Sequence, residues 1–133
     1  MNFRFRKTER ITSRKEIESL FERGKSSAIT AMPLRAVYQE SGQEEAGVPV
    51  KVLVSVSKKR LRHAIDRNRA KRQIREAYRL QHHSLIDALV TRGKQLRLAF
   101  IWLSTQPEPS AMVSRSVERI LHSITLKLEK DNT

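Results

Sequence analysis

The sequence of 133 residues predicts a single α+β domain over residues 1–133, an α–β sandwich with about four helices around a small mixed sheet. Two observations lead to this prediction. Apolar residues recur at helical spacing near both ends of the chain and in its middle. They alternate with polar residues in Val48–Ser57 and form a nearly continuous run in Leu96–Leu103, and both patterns are expected of strands.

The N-terminal part begins with residues 1–11, which are basic and which we expect to be flexible. The first helix is predicted over Ser13–Arg23, because Ser13 and Glu16 have the spacing of a capping box and Gly24 provides a C-terminal stop. Its buried face is predicted to consist of Ile17, Leu20 and Phe21.

Two strands are predicted next, joined as a hairpin through a polar, acidic turn at residues 40–47. The first, Ile29–Gln39, contains Pro33, which marks a sheet edge or an irregularity. The second, Val48–Ser57, has a valine face for the core and a polar face that is wet enough to bind a ligand. The core positions are Val50, Val52, Val54 and Val56, and the opposite positions are Lys51, Leu53, Ser55 and Ser57.

A short helix, a strand and a long helix are predicted in the C-terminal part. The short helix ends at Gly93. We expect the apolar strand Leu96–Leu103 at the centre of the sheet, with Trp102 as a core anchor, and Pro109 at the start of the last helix. The apolar faces are Leu85, Ile86, Leu89 and Val90 in the short helix, and Val113, Val117, Ile120, Leu121, Ile124 and Leu128 in the long one.

Most of the excess positive charge lies in the segment Lys58–Arg79. It contains ten Lys or Arg residues and two acids, a net charge of +8 out of +13 for the whole chain. Charge at this density repels itself unless a polyanion is near. An ordinary solvated helix face would instead mix both signs at i,i+4 spacing. The segment therefore predicts a phosphate-binding surface.

This segment is expected to be helical from Asp66 onward, since neither Gly nor Pro interrupts it and Asp66 suits the N-cap position. At roughly 100° per residue, one narrow stripe faces the core and Tyr78 lies at its seam. The stripe consists of Ala70, Ile74, Ala77 and, at its end, Gln81. The remaining circumference presents Arg67, Asn68, Arg69, Lys71, Arg72, Arg75 and Arg79.

The sequence shows no catalytic or metal-binding constellation. There is no Cys and no Gly-rich phosphate loop, and the 14 acids form no close cluster suited to two-metal phosphodiester cleavage. His82 and His83 are adjacent, so on a helix they diverge by roughly 100°, and the sequence has no Cys that could join them as a ligand. The residues alone predict an RNA-binding module with no catalytic residue, metal site or cofactor of its own.

Membrane and DNA binding are not favoured. No apolar run approaches membrane-spanning length, and the stripe around Ile74 is too thin for an interfacial membrane helix. A zipper-type DNA-binding region needs apolar heptads after it, and His82, His83 and Gly93 interrupt any such continuation. We expect a cytoplasmic protein.

Two motifs in fixed order resemble a known family. SVSKK at Ser55–Lys59, followed by AIDRNRAKRQIREAYR at Ala64–Arg79, is similar to the signature of the bacterial ribonuclease P protein subunit. The resemblance implies a basic helix in a left-handed crossover between parallel strands, whereas general rules alone favour the right-handed form. It also implies that an RNA subunit with Mg²⁺ removes the 5′ leader of precursor tRNA, and that the protein binds both RNAs without being catalytic itself.

The resemblance further implies roles for individual residues. Phe21 matches a position that is aromatic in the family, whereas Ile17 and Leu53 depart from the family pattern. The implied RNA-binding residues are Lys58, Lys59, Arg60, Arg62, Arg67, Asn68, Arg69, Lys71, Arg72, Arg75 and Arg79. The implied leader cleft contains Phe5, Ile17, Phe21, Lys51, Ser55 and Ser57.

The alternative is a ribosomal or general structured-RNA-binding protein. It fits the charge equally well, but it does not require the Ser-Val-Ser-Lys-Lys strand to lead into the Arg-Asn-Arg helix.

Overall fold

The computed structural model describes residues 17–18, 20–21, 26–41 and 49–130, which form four strands and three helices. In chain order these elements are β1 (Ser27–Ala31), β2 (Leu34–Ser41), β3 (Val50–Ser55), α1 (Ala64–Gln81), α2 (His83–Arg92), β4 (Gln95–Trp102) and α3 (Ser110–Lys130). The architecture is α+β, as predicted.

The strands form one mixed sheet in the order β1-β2-β4-β3. β1 pairs with β2 and β2 with β4 in antiparallel fashion, whereas β3 and β4 are parallel. The chain leaves β3, passes through α1 and α2, and returns as β4, so the basic helix does lie in a crossover between parallel strands. The hand of this crossover stays a prediction.

None of the helices in the described ranges is both long and apolar enough to cross a membrane.

The predicted hairpin is wrong in two respects. Residues 29–39 are not one strand, because Met32 and Pro33 form a turn between β1 and β2. Proline has no backbone N–H for a sheet ladder, which makes it a suitable turn residue. β3 does not pair with β2 either, because the apolar strand β4 lies between them. The prediction assumed that consecutive strands are neighbours, and that tendency fails here.

The sheet buries apolar residues on both faces. The larger cluster packs the sheet against α1, α2 and α3, and it includes Val50, Val52 and Val56 as predicted, with Val54 partly buried beside them. A smaller cluster on the second face is formed by Leu20, Val37, Ala99 and the partly buried Ile17, Leu53 and Ile101. The alternation of β3 is therefore confirmed, and one residue of its polar face, Leu53, has an apolar environment.

Only a fragment of the first predicted helix lies within the described residues. Ile17, Glu18 and Leu20 are helical, and the backbone N–H of Phe21 donates to the carbonyl of Ile17 at 3.2 Å. Leu20 is fully buried, as predicted for this face, whereas Phe21 is 48% exposed. The capping-box residues, Gly24 and residues 1–11 lie outside the described residues.

The basic helix α1 begins two residues earlier than predicted. His63 occupies the N-cap position without a side-chain capping bond, and Asp66 lies in the first helical turn. The prediction of Asp66 as N-cap is therefore wrong, although a carboxylate in the first turn still interacts favourably with the helix dipole. The other correction concerns Tyr78, which is 1% exposed and so belongs to the core and not to a seam.

The C-terminal helices agree with the sequence at most positions. Gly93 ends α2 in the left-handed conformation, with φ 63° and ψ 31°, where a side chain would be strained. In α2 the prediction fails at Val90, which is 65% exposed. In α3 the backbone N–H groups of Met112 and Val113 donate to the carbonyl of Pro109, which directly precedes the helix. The buried stripe of α3 contains all the predicted residues, and Trp102 is buried on β4.

Candidate nucleic-acid interface

Helix α1 has one buried side and one cationic side. Ala70, Ile74, Ala77 and Tyr78 are buried, and the helix packs against α3 and β3. Small side chains at two of these positions let the helix lie close to its neighbours, while Ile74 is fully removed from solvent. The predicted stripe is confirmed, and it directs the remaining circumference outward.

Two glutamines fix the rotation of α1 about its axis. Gln73 donates through Nε2 to the carbonyl of Glu108 at 2.9 Å and to Oγ of Ser110 at 3.0 Å. Two turns later, Gln81 donates to the carbonyl and Oγ of Ser114, at 3.1 and 3.2 Å. Both glutamines thus tie α1 to the start of α3, so the cationic side keeps one orientation.

Not every cation of α1 is available to a ligand. Arg79 donates through Nε to Oε2 of Glu76 at 3.2 Å and through Nη2 to Oε1. This hydrogen bond lowers the pKa of the Glu76 carboxyl, and it raises that of Arg79. Arg67 also has partners within the protein, because its Nη1 donates to the carbonyls of Leu61 and Arg62. Arg75 also interacts with another group of the protein.

The remaining seven cations of α1 and of the loop before it are exposed or partly exposed. No hydrogen bond or ion pair joins their side chains to any described residue. Three lie on α1, close to the exposed side chain of Asn68, and four lie in the loop that precedes the helix. They are Arg69, Lys71 and Arg72 on the helix, and Lys58, Lys59, Arg60 and Arg62 in the loop. We call this set the cationic surface.

The loop that carries four of these cations is held in place by its backbone. The carbonyl of Ser57 accepts hydrogen bonds from the backbone N–H groups of Arg60 at 3.2 Å and Leu61 at 3.1 Å. Ser57 Oγ lies 3.3 Å from the same nitrogen of Arg60. Leu61 is 3% exposed and inserts into the main core. The loop is therefore anchored at both its backbone and one apolar side chain.

The second face of the sheet presents polar and cationic groups around its small apolar cluster. Cross-strand neighbours form rows across β3, β4 and β2: Lys51 with Arg97 and Gln39, Leu53 with Ala99 and Val37, and Ser55 with Ile101 and Arg35. Arg97 Nη1 also donates to Gln39 Oε1 at 3.4 Å. The structure thus places the predicted Lys51 and Ser55 on one face, and it adds Arg35 and Arg97.

Other residues of the predicted leader cleft have mixed outcomes. The exposed Phe21 and the partly buried Ile17 belong to the helical fragment whose Leu20 packs on the second face. Ser57 lies beyond the end of β3, where its main chain and Oγ hold the loop. Phe5 lies outside the described residues.

His82 and His83 lie at the junction of α1 and α2 with their rings edge to face, 4.8 Å apart. His82 is 2% exposed and also meets the ring of Tyr78 at 5.0 Å. Burial lowers the pKa of His82, and the neighbouring His83 and Arg79 lower it further. Within the described ranges, no three His, Cys, Asp or Glu side chains are close enough to hold a metal ion together.

The fold and this surface define a class, that of small basic α+β proteins with a cationic helix in the crossover between two parallel strands. Comparison with known proteins specifies the family. The family model for ribonuclease P matches residues 5–124, which is most of the chain. The chain therefore belongs to the ribonuclease P protein family.

Relatives and a solved structure agree with this assignment. The chain is 41% identical over 119 residues to a ribonuclease P protein component from Porphyromonas gingivalis, covering 90% of this chain and 85% of that protein. A ribonuclease P protein component from Chlorobium phaeobacteroides is 33% identical over 131 residues, with 91% and 88% covered. The ribonuclease P protein of Staphylococcus aureus has a similar fold, with a TM-score of 0.63 at 18% identity, covering 87% of this chain and 94% of that one.

Proposed function

We propose that this chain is the protein subunit of ribonuclease P, which binds the catalytic RNA and the 5′ leader of precursor tRNA. One observation carries the proposal: seven cations whose side chains have no partner among the described residues lie together on one helix side and its adjoining loop. Such a surface lowers the free energy of a bound polyanion by releasing condensed counterions. Membership of the ribonuclease P family supports the catalytic RNA as that polyanion.

The cationic surface is suited to the folded RNA subunit. Guanidinium groups such as those of Arg69 and Arg72 donate in a fork that matches phosphate oxygens. Asn68 directly precedes Arg69 in sequence and supplies a neutral donor and acceptor on the same exposed side. The two glutamine tethers of α1 keep these groups oriented before binding, so less order has to be imposed by the RNA.

We assign the 5′ leader to the second face of the sheet. Lys51, Arg97 and Arg35 offer positive charge there, and the exposed ring of Phe21 offers a stacking surface for an unpaired base. Ile17 and Ser55 would line the same cleft. A strip of cations with one accessible aromatic ring suits single-stranded nucleic acid better than a duplex.

We assign the hydrolytic step to the RNA subunit with its Mg²⁺. Arg and Lys are donors without acceptor atoms, so the cationic surface is not a set of Mg²⁺ ligands. It would instead neutralise phosphates of the RNA and thereby reduce the Mg²⁺ concentration that the folded complex requires. The proposal includes one domain over residues 1–133 that acts in the cytoplasm.

The test is cleavage of a precursor tRNA by a bacterial ribonuclease P RNA at low Mg²⁺, with and without this protein. We expect cleavage at the mature 5′ end at a lower Mg²⁺ concentration when the protein is present. A double variant, Arg69→Ala with Arg72→Ala, should need more Mg²⁺ than the wild type. The proposal would be contradicted by cleavage with RNA-free protein, or by copurification with ribosomal RNA and no effect on cleavage.

A further inference from the structure

The loop between β3 and α1 concentrates positive charge in a short space. Residues 58–63 contain Lys58, Lys59, Arg60 and Arg62, and no acid. All four side chains are exposed. Four like charges on six residues repel one another, so an unrestrained loop would spread them apart in solvent. The loop nevertheless forms a turn at residues 58–60, and contacts within the protein hold this turn in place.

Arg67 is the side chain that closes this turn. From the first turn of α1, its Nη1 lies 2.9 Å from the carbonyl oxygen of Leu61 and 2.9 Å from that of Arg62. Nη1 carries two hydrogens, so both are used by these acceptors. Hydrogen bonds from a charged donor are stronger than neutral ones. The guanidinium therefore joins the start of the helix to the last residues of the loop.

These two hydrogen bonds give Arg67 a different environment from that of Arg69 and Arg72. Arg69 and Arg72 have no partner among the described residues and are exposed, whereas Arg67 is partly buried and has two backbone partners. Leu61, whose carbonyl Arg67 binds, is also the residue that inserts into the core. The position of the loop is thus determined at one point by packing and at another by Arg67.

We propose that Arg67 is a positioning residue: it holds the loop so that Lys58, Lys59, Arg60 and Arg62 face the RNA as a preformed set. This inference rests on the proposed function. The Arg-Asn-Arg pattern suggests that Arg67 contacts RNA phosphates directly. In the role proposed here, Arg67 instead raises the affinity for RNA indirectly, by holding the loop in position. Without Arg67, binding would have to order the loop, and affinity would fall although the same phosphates are neutralised.

The experiment compares Arg67→Met with Arg69→Met, since Met keeps an aliphatic side chain and removes both charge and N–H donors. Affinity for the ribonuclease P RNA is measured against salt concentration. We expect Arg67→Met to bind at least about tenfold more weakly, because the RNA would have to order the loop, with an unchanged salt slope. Arg69→Met should flatten the slope by roughly 0.7–0.9. Hydrogen exchange at the Arg60 and Leu61 amides should quicken only in Arg67→Met.

A double-mutant cycle tests the route of the effect. In a background with Lys58, Lys59, Arg60 and Arg62 all changed to Gln, Arg67→Met should cost less than about twofold more affinity, because no loop cations are left to position. Arg69→Met should retain its full effect there. An undiminished loss for Arg67→Met in this background, with a flattened slope, would overturn the proposal. If Arg69→Met and the loop variant also bound normally, the proposed function itself would fail.

Discussion

The carboxylate of Glu76 accepts hydrogen bonds from both Nε and Nη2 of Arg79, three residues further along α1. Glu76 is the one acid of α1 beyond its first turn, and it lies within a helix that is otherwise cationic. The pair therefore occupies one guanidinium within the protein and places a negative charge beside the cationic surface.

Removing this carboxylate should strengthen RNA binding. Glu76→Gln keeps the shape of the side chain and abolishes the ion pair, so Arg79 becomes available to a phosphate. We expect a higher affinity for the ribonuclease P RNA and a salt slope steeper by at most about 0.9. Glu129→Gln, an equal charge change on the exposed surface of α3, serves as the control. Equal affinities for both variants would show that Arg79 lies outside the interface.

The buried side of α1 should control folding and not recognition. Ile74 is fully buried, so Ile74→Asp would place a carboxylate against the core without a partner and should unfold the domain. Ile65→Asp is a matched control on the same helix, because Ile65 is 82% exposed. Melting curves measure both variants. A cooperative transition for Ile74→Asp near that of the wild type would contradict the packing described here.

Phe21 should act on the substrate and not on stability. Because its side chain is 48% exposed, Phe21→Ala should destabilise the protein far less than the roughly 3–5 kcal/mol typical of a buried Phe. If the ring stacks on a leader base, the preference for precursor over mature tRNA should fall at least about fivefold. Met32→Ala, at the exposed β1–β2 turn, is the control. An unchanged preference for precursor over mature tRNA would mean that Phe21 does not contact the leader.

His82 should make folding sensitive to mild acid. Its pKa is lowered in the folded protein from an ordinary value of 6.5, mainly by burial, so the unfolded chain takes up a proton first. The stabilising contribution of neutral His82 is therefore complete above pH 6.5 and decreases as the pH falls toward the folded-state pKa. The melting temperature should drop less on acidification in His82→Gln than in the wild type. His122→Gln, on the exposed side of α3, should follow the wild type.

The periodicity of apolar residues in the sequence predicted which side chains of the helices and strands are buried. Ala70, Ile74 and Ala77 share one side of a helix because of backbone geometry alone, so their burial followed from the spacing. The β3 valines followed in the same way from a period of two. Where a single residue breaks a segment, the spacing carries less information. Pro33 therefore divided a predicted strand into β1 and β2.

The parts of the site that were missed involve contacts without a sequence pattern. The alternation of Arg97 with buried residues was hidden in an apolar run, and Arg35 was assigned to no face. Their positions follow only from the strand order, which places β4 between β2 and β3. The contact of Arg67 with two backbone carbonyls also has no sequence pattern. Every residue has a backbone carbonyl, so the sequence does not show which carbonyl accepts a hydrogen bond.

The central claim is that the exposed cations of α1 bind RNA phosphates, and the salt dependence of RNA affinity tests it most directly. The measurement is the affinity for ribonuclease P RNA over a range of salt concentrations in the wild type, Arg69→Ala, Arg72→Ala and the control Arg119→Ala, which removes an exposed cation of α3. Each α1 variant should flatten the slope by roughly 0.7–0.9 with an unchanged melting temperature, and the control should not. Slopes equal to the wild type in both α1 variants would mean that this face is merely solvated.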